Sequence, residues 1–589
     1  MITNKYMTRI ASVIMAVAVL VCLVATGFSR QLQAVYGNSA VTMEYEEKLF
    51  DTEQIMDIDV LMNEKEWSEM PENAISEEYY SCDVVVNSKT FYSVGIRPKG
   101  NTSLSSIVND PDTDRYSLKL EFDHYIEGQT CYGLDKLILN NNYADATNMK
   151  EAVVYDMYQY LGVDASLYNY AKICVNGEYW GVYLALEAVE DSFMLRNYGT
   201  EDGNLYKPES MGVGDGAEAE KMEAAHSLDE NAKGQLQMPD FENTEIAENS
   251  EDTVGKNAIN PESGENQEKD NKEGQTLPDG GMPDGEQFPA NGKMPDGGQF
   301  PANGERPDAN QFPQNGEAPD TGDFQGNGRR AMGDNGGADL NYSDDSLDSY
   351  STIWDGEVND SGKKDHKRVV EALKNISEGN ELETYMDVDN ILKYMAVHTF
   401  VVNDDSLSGT MAHNYYLYEY NGKLNILPWD YNLSFGGMSM GGGMGKQSQG
   451  ATSVINDAID TPFSITDFFD ALLENEEYLS RYHEYLDELM EKYVNGGEFE
   501  KTYERIRSQI NELVEDDPTA FYSYEEYDKA AKLLCEVVNL RAESVSGQLD
   551  GTIPSTDEGQ QKDSSSLIDG SDIDLSIMGT FSGGGKGGK

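Results

Sequence analysis

Two acidic, amide-containing segments flank one pair of strand-like runs in the C-terminal half of the chain. Residues 403–405 (Asn-Asp-Asp) precede the first run, and Asp430 and Asn432 follow the second. Carboxylate and amide oxygens are the ligands that Mg²⁺ prefers. Two acidic clusters that converge can therefore hold a metal ion together with the phosphates it accompanies. The alternative interpretation is that these residues only cap loops in a very acidic protein.

A β-hairpin is the element that must bring these segments together. The runs 413–418 and 424–428 are rich in aromatic and β-branched residues, and Asn421-Gly422 lies in the turn between them. An Asn-Gly pair between two such runs favours a tight hairpin turn. A helix predicted over residues 389–399 leads into the first acidic segment. Its His398 falls at helical spacing with apolar neighbours, so we expect a packed helix residue rather than a metal ligand.

Basic residues that could hold phosphate lie in the N-terminal half. The loop 97–103 is basic, contains Gly100 and leaves a predicted strand. Such a loop can offer backbone N–H groups and cations to a phosphate, although a solvated hairpin turn is the alternative interpretation. Strict alternation over residues 116–122 places the large apolar side chains on one face of a strand and Lys119 on the other.

Net charge limits the partners that this chain can attract. The sequence has 43 basic and 107 acidic residues, a formal charge of −64. A protein this acidic repels nucleic acid and anionic membrane surfaces, so neither is an expected partner. It also repels ATP, so a nucleotide site must be built from particular Lys and Arg residues. The five cysteines are scattered singly and predict neither a zinc site nor a disulfide scaffold.

The N-terminus predicts export. Within residues 1–40, Lys5 and Arg9 precede an apolar run over residues 10–28 that contains no charged residue. This pattern is typical of a signal peptide or of a single membrane anchor. The expected location is the cell surface, attached by a single-pass anchor, or the secreted fraction.

The remaining chain divides by composition. Residues 44–208 and 347–549 have the apolar periodicity of globular segments, and the second is mostly helical. Residues 209–346 nearly lack aliphatic side chains and repeat a twelve-residue Pro/Gly/Asn unit, which predicts a disordered insertion. Residues 550–589 are polar and Gly-rich, and we expect a disordered tail.

Five motifs in order resemble the spore coat protein H (CotH) kinase family. They are residues 95–103 (GIRPKGNTS), 116–122 (YSLKLEF), 176–183 (NGEYWGVY), 203–207 (GNLYK) and 403–437, the segment that contains the hairpin. The resemblance covers roughly residues 55–207 and 348–548, with the repeat region as an insertion between them.

The resemblance implies an α+β, atypical protein-kinase-like fold of two lobes. The N-lobe is rich in β-hairpins, the C-terminal subdomain is helical, and a long disordered insertion separates their sequences. The implied activity is phosphorylation of Ser or Thr in protein substrates, with ATP and Mg²⁺ as cofactors. The implied substrates are exported, cell-surface or spore-coat proteins.

The resemblance also implies roles for the residues around the hairpin. Asp405 orients the acceptor hydroxyl, Asn414 assists at the metal, and Asp430 is the principal Mg²⁺ ligand. Asn432 stands where many relatives have a second Asp, which puts a second metal ion in doubt.

On the phosphate side, Lys119 is the expected phosphate-binding lysine. Its partner is expected to be Glu187 or Glu151, and Arg97 and Lys99 are further phosphate contacts. Two other interpretations stay open: an inactive kinase-like module for surface binding or assembly, and a metal-dependent phosphoester hydrolase that uses the same acidic cluster.

Overall fold

Seven strands from the first half of the chain close into a β-barrel in the computed structural model. In spatial order they are β1 (Met56–Leu61), β2 (Tyr80–Val86), β3 (Lys89–Lys99), β4 (Ser117–Glu121), β5 (Lys136–Asn140), β7 (Glu178–Glu187) and β6 (Tyr168–Val175). Neighbouring strands are antiparallel except β1 and β6, which run parallel. Closure pairs the edge strands with each other and so leaves no open sheet edge.

The structure describes residues 40–209, 336–409, 411–439, 450–463 and 465–582. All of them belong to one compact unit. The N-terminal apolar run and most of the insertion lie outside the described residues, so the expectations of export and of disorder there stay predictions. Among the residues that the structure describes, no helix is long and apolar enough to cross a membrane.

Alternation along the strands fills the barrel and leaves its basic residues outside. Leu118 and Leu120 of β4 are buried in the barrel core, as the alternation predicts, and Lys119 lies on the outer face. The register of β3 with β4 sets Arg97 opposite Lys119. Because residues directly opposite each other share a face, the outer face of these strands carries the basic side chains.

The helices surround the barrel and form the C-terminal part. The first five are α1 (Glu44–Lys48), α2 (Glu64–Glu72), α3 (Thr102–Val108), α4 (Lys150–Leu161) and α5 (Asp191–Tyr198). The next ten are α6 (Ser351–Asp355), α7 (Lys363–Ser377), α8 (Leu382–Tyr385), α9 (Val388–Val401), α10 (Ala451–Ile455), α11 (Asp470–Leu473), α12 (Glu476–Glu488), α13 (Glu498–Glu515), α14 (Tyr524–Leu549) and α15 (Asp557–Lys562). A π-helix (Leu489–Val494) follows α12, and 3-10 turns lie at Ala74–Ser76, Leu347–Tyr350 and Leu575–Met578.

A second apolar core joins the outer face of the barrel to the helices. Ile138, Leu184 and Leu186 of the barrel belong to this core together with the buried faces of α4 and α9. A buried ion pair fastens the same two parts, since Nη1 of Arg115 donates to both carboxylate oxygens of Asp517 at 2.8 and 2.7 Å. Both side chains are 2 % exposed. Barrel and helices are therefore held in one fixed arrangement.

The predicted hairpin is confirmed. It consists of β9 (Tyr415–Tyr420) and β10 (Lys423–Pro428), and β8 (Asn204–Tyr206) pairs with β9 to make a three-stranded sheet. Asn421 and Gly422 both have positive φ, +55° and +88°. Two positive values are what a type I′ turn requires, and they explain the Asn-Gly pair.

The α+β prediction is confirmed, with strands in the N-terminal part and helices in the C-terminal part. The N-terminal hairpins close into a barrel, which the sequence did not predict because closure depends on the distant pairing of β1 with β6. The two-lobed kinase-like arrangement stays a prediction.

Two boundaries were wrong. Residues 550–582 of the expected disordered tail pack on the fold, with Leu575 and Met578 buried and β12 (Phe581–Ser582) paired to β11 (Met438–Ser439). Residues 336–346 of the expected insertion are ordered as well. Ala338 and Leu340 are buried, and the Tyr415 hydroxyl donates to the Ala338 carbonyl at 2.6 Å. A few buried anchors hold each segment despite its polar composition.

These anchors give a test of the insertion boundary. Replacing residues 210–335 by a Gly/Ser linker long enough to join the ends should leave the melting temperature nearly unchanged, because loop closure entropy rises slowly with length. Replacing residues 209–346 should lower it, since losing Leu340 alone forfeits about 2 kcal/mol of burial. Calorimetric melting of both variants measures the difference. Equal melting temperatures would contradict the packing of residues 336–346.

Candidate functional site

A lysine, an asparagine and a glutamate are joined by hydrogen bonds at one end of the barrel. Nζ of Lys99 donates to Oδ1 of Asn140 at 3.0 Å. Nδ2 of Asn140 donates to Oε2 of Glu151 at 2.8 Å. The asparagine therefore bridges a cation and a carboxylate, and holds both side chains in place.

The fold explains why these three residues meet. Lys99 is the last residue of β3 and Asn140 the last of β5, and both strands are antiparallel to β4 between them. Strands β3 and β5 thus run in the same direction and end at the same edge. Glu151 lies in the first turn of α4, where the helix dipole favours a carboxylate.

Asp430 comes to the same place from the hairpin. It lies two residues beyond β10 and has φ of +58°, an uncommon conformation for a residue other than glycine. Nδ2 of Asn403 donates a hydrogen bond to the backbone carbonyl of Asp430 at 3.3 Å. Nζ of Lys99 lies 5.3 Å from the ring centre of Trp429, within the range of a cation–π contact. The predicted acidic hairpin end therefore faces Lys99.

The charges of the site perturb one another. Burial raises the pKa of Glu151 to about 8, and the Asp430 charge adds to that rise. Burial likewise raises the pKa of Asp430, against the opposing effect of Lys99. Burial lowers the pKa of Lys99, against the opposing effect of Asp430. Groups whose pKa values are shifted by both burial and specific charge partners are typical of functional sites.

A second acidic cluster lies beside the first. Asp405 accepts hydrogen bonds from Nε2 of His413 at 2.7 Å and from Nδ2 of Asn414 at 3.1 Å. Burial alone would lower the pKa of His413, but the hydrogen bond and charge of Asp405, together with the charges of Glu209 and Asp430, raise it. His413 and Asp405 both contribute to the electrostatic environment of Asp430. The two acidic segments therefore lie close together, and their joint role at a metal–phosphate site stays a prediction.

Lys207 supplies another cation. It follows β8 directly and pairs with Glu209. Burial alone would lower its pKa, but Glu209, Tyr416 and Asp430 together raise it. The side chain therefore carries its charge beside Asp430.

The predicted partner of Lys119 is wrong. Nζ of Lys119 donates to Glu190 at 2.6 Å, and Lys136 pairs with the same carboxylate. Neither Glu187 nor Glu151 is therefore the partner of this lysine, and Glu151 is linked to Lys99 through Asn140 instead. The lysine that the sequence ranked as a secondary phosphate contact holds the central position.

Glu187 is a buried residue whose hydrogen bonds are all within the fold. It lies opposite Leu137, whose side chain faces the barrel core, so it points away from the outer face that carries Lys119. There it accepts hydrogen bonds from Arg196 at 2.6 Å and from the Tyr45 hydroxyl at 2.5 Å. Arg97 is likewise engaged, since it pairs with Glu77 and stacks on the Tyr79 ring.

Two further residues have defined contacts. Asn432 donates from Nδ2 to the Tyr143 carbonyl at 2.9 Å, and its role at a metal stays a prediction. His398 is confirmed as a packed helix residue, 2 % exposed and stacked on Tyr394. Burial lowers its pKa to about 3, so it packs as the neutral ring.

Asn140, Lys207 and His413 were not predicted as site residues. Lys207 ends the motif over residues 203–207 and His413 begins the predicted hairpin, whereas Asn140, at the end of β5, lies outside the five motifs. The sequence does not reveal that these three residues lie at one site. Alternation gives the face of a strand, but only the barrel closure gives the neighbours.

A hard cation accompanied by phosphate fits the residues of this site. Within the described ranges, no three His, Cys, Asp or Glu side chains are grouped so as to hold a metal by themselves. Mg²⁺ commonly uses one or two carboxylates and takes its other ligands from water and phosphate. Oε1 of Glu151 is buried without a hydrogen bond of normal geometry, although the Tyr431 backbone N–H favours the charged form. Such an oxygen has unused capacity for a ligand.

Comparison with known families agrees with the five motifs. The family described as CotH kinase protein matches residues 96–269 and 304–545, well over half of the chain. The chain therefore belongs to the CotH kinase family. The matched ranges include Lys99, Glu151, Asp405 and Asp430. No curated protein matches the chain closely enough to be named as a relative.

The raised pKa of Glu151 predicts a pH-dependent stability. Its ordinary pKa is 4.5 and its folded value about 8, so between these values the folded state binds the additional proton. The free energy of unfolding therefore falls as pH rises through this interval, by at most about 1.4 kcal/mol per pH unit. Glu151→Gln removes this titration. We expect the variant to gain stability relative to the parent from about pH 5 to about pH 8.5 in urea unfolding.

Glu47→Gln, which removes an exposed carboxyl of α1, corrects for the loss of one negative charge. A constant difference between Glu151→Gln and the parent at every pH would show that Glu151 keeps an ordinary pKa in the folded protein.

Proposed function

We propose that this protein is a Mg²⁺-dependent phosphotransferase that moves the terminal phosphoryl group of ATP to Ser or Thr hydroxyls of exported proteins. The observation that supports this best is the linkage of Lys99, Asn140 and Glu151 beside Asp430. A lysine connected to a glutamate, with a metal-binding carboxylate nearby, is the arrangement by which kinases hold ATP.

Lys99 and Lys207 are the residues proposed to bind the phosphates. Both lie within the electrostatic reach of Asp430, and the Asn140 bridge keeps Lys99 oriented. Local cations are essential because the whole chain carries a formal charge of −64. Asp430 is proposed as the principal metal ligand, with Oε1 of Glu151 beside it. Bound Mg²⁺ neutralises phosphate charge that develops during transfer.

Asp405 is proposed to act on the acceptor. Its carboxylate is held by His413 and Asn414, so its direction is fixed before substrate binds. A fixed carboxylate can orient a Ser or Thr hydroxyl and accept its proton as the oxygen bonds to phosphorus. The bond from phosphorus to the leaving ADP oxygen breaks in the same displacement. His413, beside the carboxylate, stabilises the negative charge of Asp405 before transfer.

The proposed setting is outside the cytoplasm. The basic flank and apolar run at the N-terminus support export, and family membership supports a surface or spore-coat substrate. Phosphorylation there requires a source of ATP in the compartment to which the protein is exported.

Substitutions of Asp430 and Asp405 should differ in their effects on ATP binding and on turnover. Asp430→Asn keeps size and one oxygen but removes the charge, so it should weaken Mg²⁺-dependent ATP binding and reduce transfer roughly 100-fold or more. Asp405→Asn should preserve Mg²⁺-ATP affinity and lower turnover by a similar factor, because it acts on the acceptor. Calorimetric titration with and without Mg²⁺, together with transfer of labelled phosphate to casein as a generic Ser/Thr acceptor, measures both.

Asp487→Asn, an exposed change on α12, is the matched control. Full activity of Asp430→Asn would contradict the proposal. Label found only as free phosphate would indicate the hydrolase instead, and ATP binding without any transfer would indicate the inactive module.

A further inference from the structure

The C-terminal residues 575–582 cross the fold beside the candidate site. We call this segment the strap. It contains the 3-10 turn Leu575–Met578 and strand β12, and Met578 is fully buried. The family match ends at residue 545, so the strap lies beyond the part of the chain that the family describes.

One side of the strap binds the loop that leads into α4. The backbone N–H of Ala146 donates to the Met578 carbonyl at 3.1 Å. Nζ of Lys150 donates to the Gly579 carbonyl at 3.3 Å. Lys150 is fully buried and is the residue before Glu151, so the strap is attached one residue from a site carboxylate.

The fit on this side leaves no room for a larger residue. Gly579 has φ of +84°, and a Cβ there would lie 2.4 Å from the Ala144 carbonyl oxygen. Ala144 itself has φ of +59°, as do Asn142 (+59°) and Asn148 (+51°) nearby. A loop with several left-handed residues keeps its conformation only when its surroundings hold it. The strap is part of those surroundings.

The other side of the strap binds the segment that follows Asp430. The Phe581 backbone N–H donates to the Gly437 carbonyl at 2.9 Å, and β12 pairs in parallel with β11. The Phe581 ring lies edge-on to the Tyr143 ring, with 6.4 Å between the two ring centres. The Tyr143 carbonyl in turn accepts the hydrogen bond from Asn432, two residues from Asp430.

We propose that the strap is a positioning element of the site, which holds the segments of Glu151 and Asp430 at a fixed separation. Both carboxylates belong to separate elements, and the strap is bonded to the flanks of each. The inference rests on the proposed function, in which these two carboxylates serve one metal–phosphate site. Detaching the strap should let the α4 loop relax and should weaken Mg²⁺-ATP binding.

The test uses the full chain with the strap detached by substitution. Met578→Asp places a charge in a buried position, and Ile577→Asp, at the exposed neighbour, is the matched control. Lys150→Met removes the bond to Gly579 and keeps a long apolar stem, so it tests the attachment without introducing a new carboxylate, although it also removes the charge that offsets the buried Asp145. We expect Met578→Asp and Lys150→Met to weaken Mg²⁺-ATP affinity about tenfold or more, and the control to leave it unchanged.

Amide hydrogen exchange over residues 142–151 supplies a second readout that does not depend on ATP. Faster exchange over these residues in Met578→Asp, with a melting temperature that still shows a folded protein, supports the positioning role of the strap. Unchanged exchange and affinity would overturn the inference, and higher turnover would show that the strap inhibits instead. If the parent chain binds no Mg²⁺-ATP, the proposed function fails, and exchange over residues 142–151 alone decides whether the strap holds this loop.

Discussion

The site depends on charges that compensate one another where water is scarce. Removing a carboxylate from water costs free energy that a nearby cation must offset. Lys99 offsets part of this cost for Asp430 directly and is joined to Glu151 through Asn140, and Lys207 adds a second cation. The compensation is incomplete, since burial still raises the pKa of both carboxylates. A bound metal cation supplies the missing positive charge, and the phosphates that accompany it can pair with Lys99 and Lys207.

This constraint explains why the site needs so many separate elements. The barrel fixes the ends of β3 and β5 side by side, α4 presents Glu151, and the hairpin delivers Asp430. None of these elements alone places two carboxylates beside a lysine. The ion pair of Arg115 with Asp517 and the second apolar core keep barrel and helices in register. Rigid elements are what a site needs when small displacements of charged groups are costly.

Local sequence signals predicted the elements, and long-range pairing decided the contacts. The Asn421-Gly422 turn and the alternation around Lys119 gave the hairpin and the strand face correctly, because both depend on neighbours in sequence. The partner of Lys119 could not be predicted, since the Glu187 side chain is directed by its place in a closed barrel. Composition also failed for the tail, where the buried Met578 anchors a segment that is otherwise polar.

We propose that Lys99, and not Lys119, holds the nucleotide phosphates. The direct measurement is acylation by an acyl-phosphate derivative of ATP, which transfers its acyl group to a lysine amine beside the bound phosphates, followed by mass spectrometry of the peptides. We expect Lys99 to be labelled and an excess of Mg²⁺-ATP to prevent the labelling. ATP-protected labelling of Lys119 with none at Lys99 would contradict it.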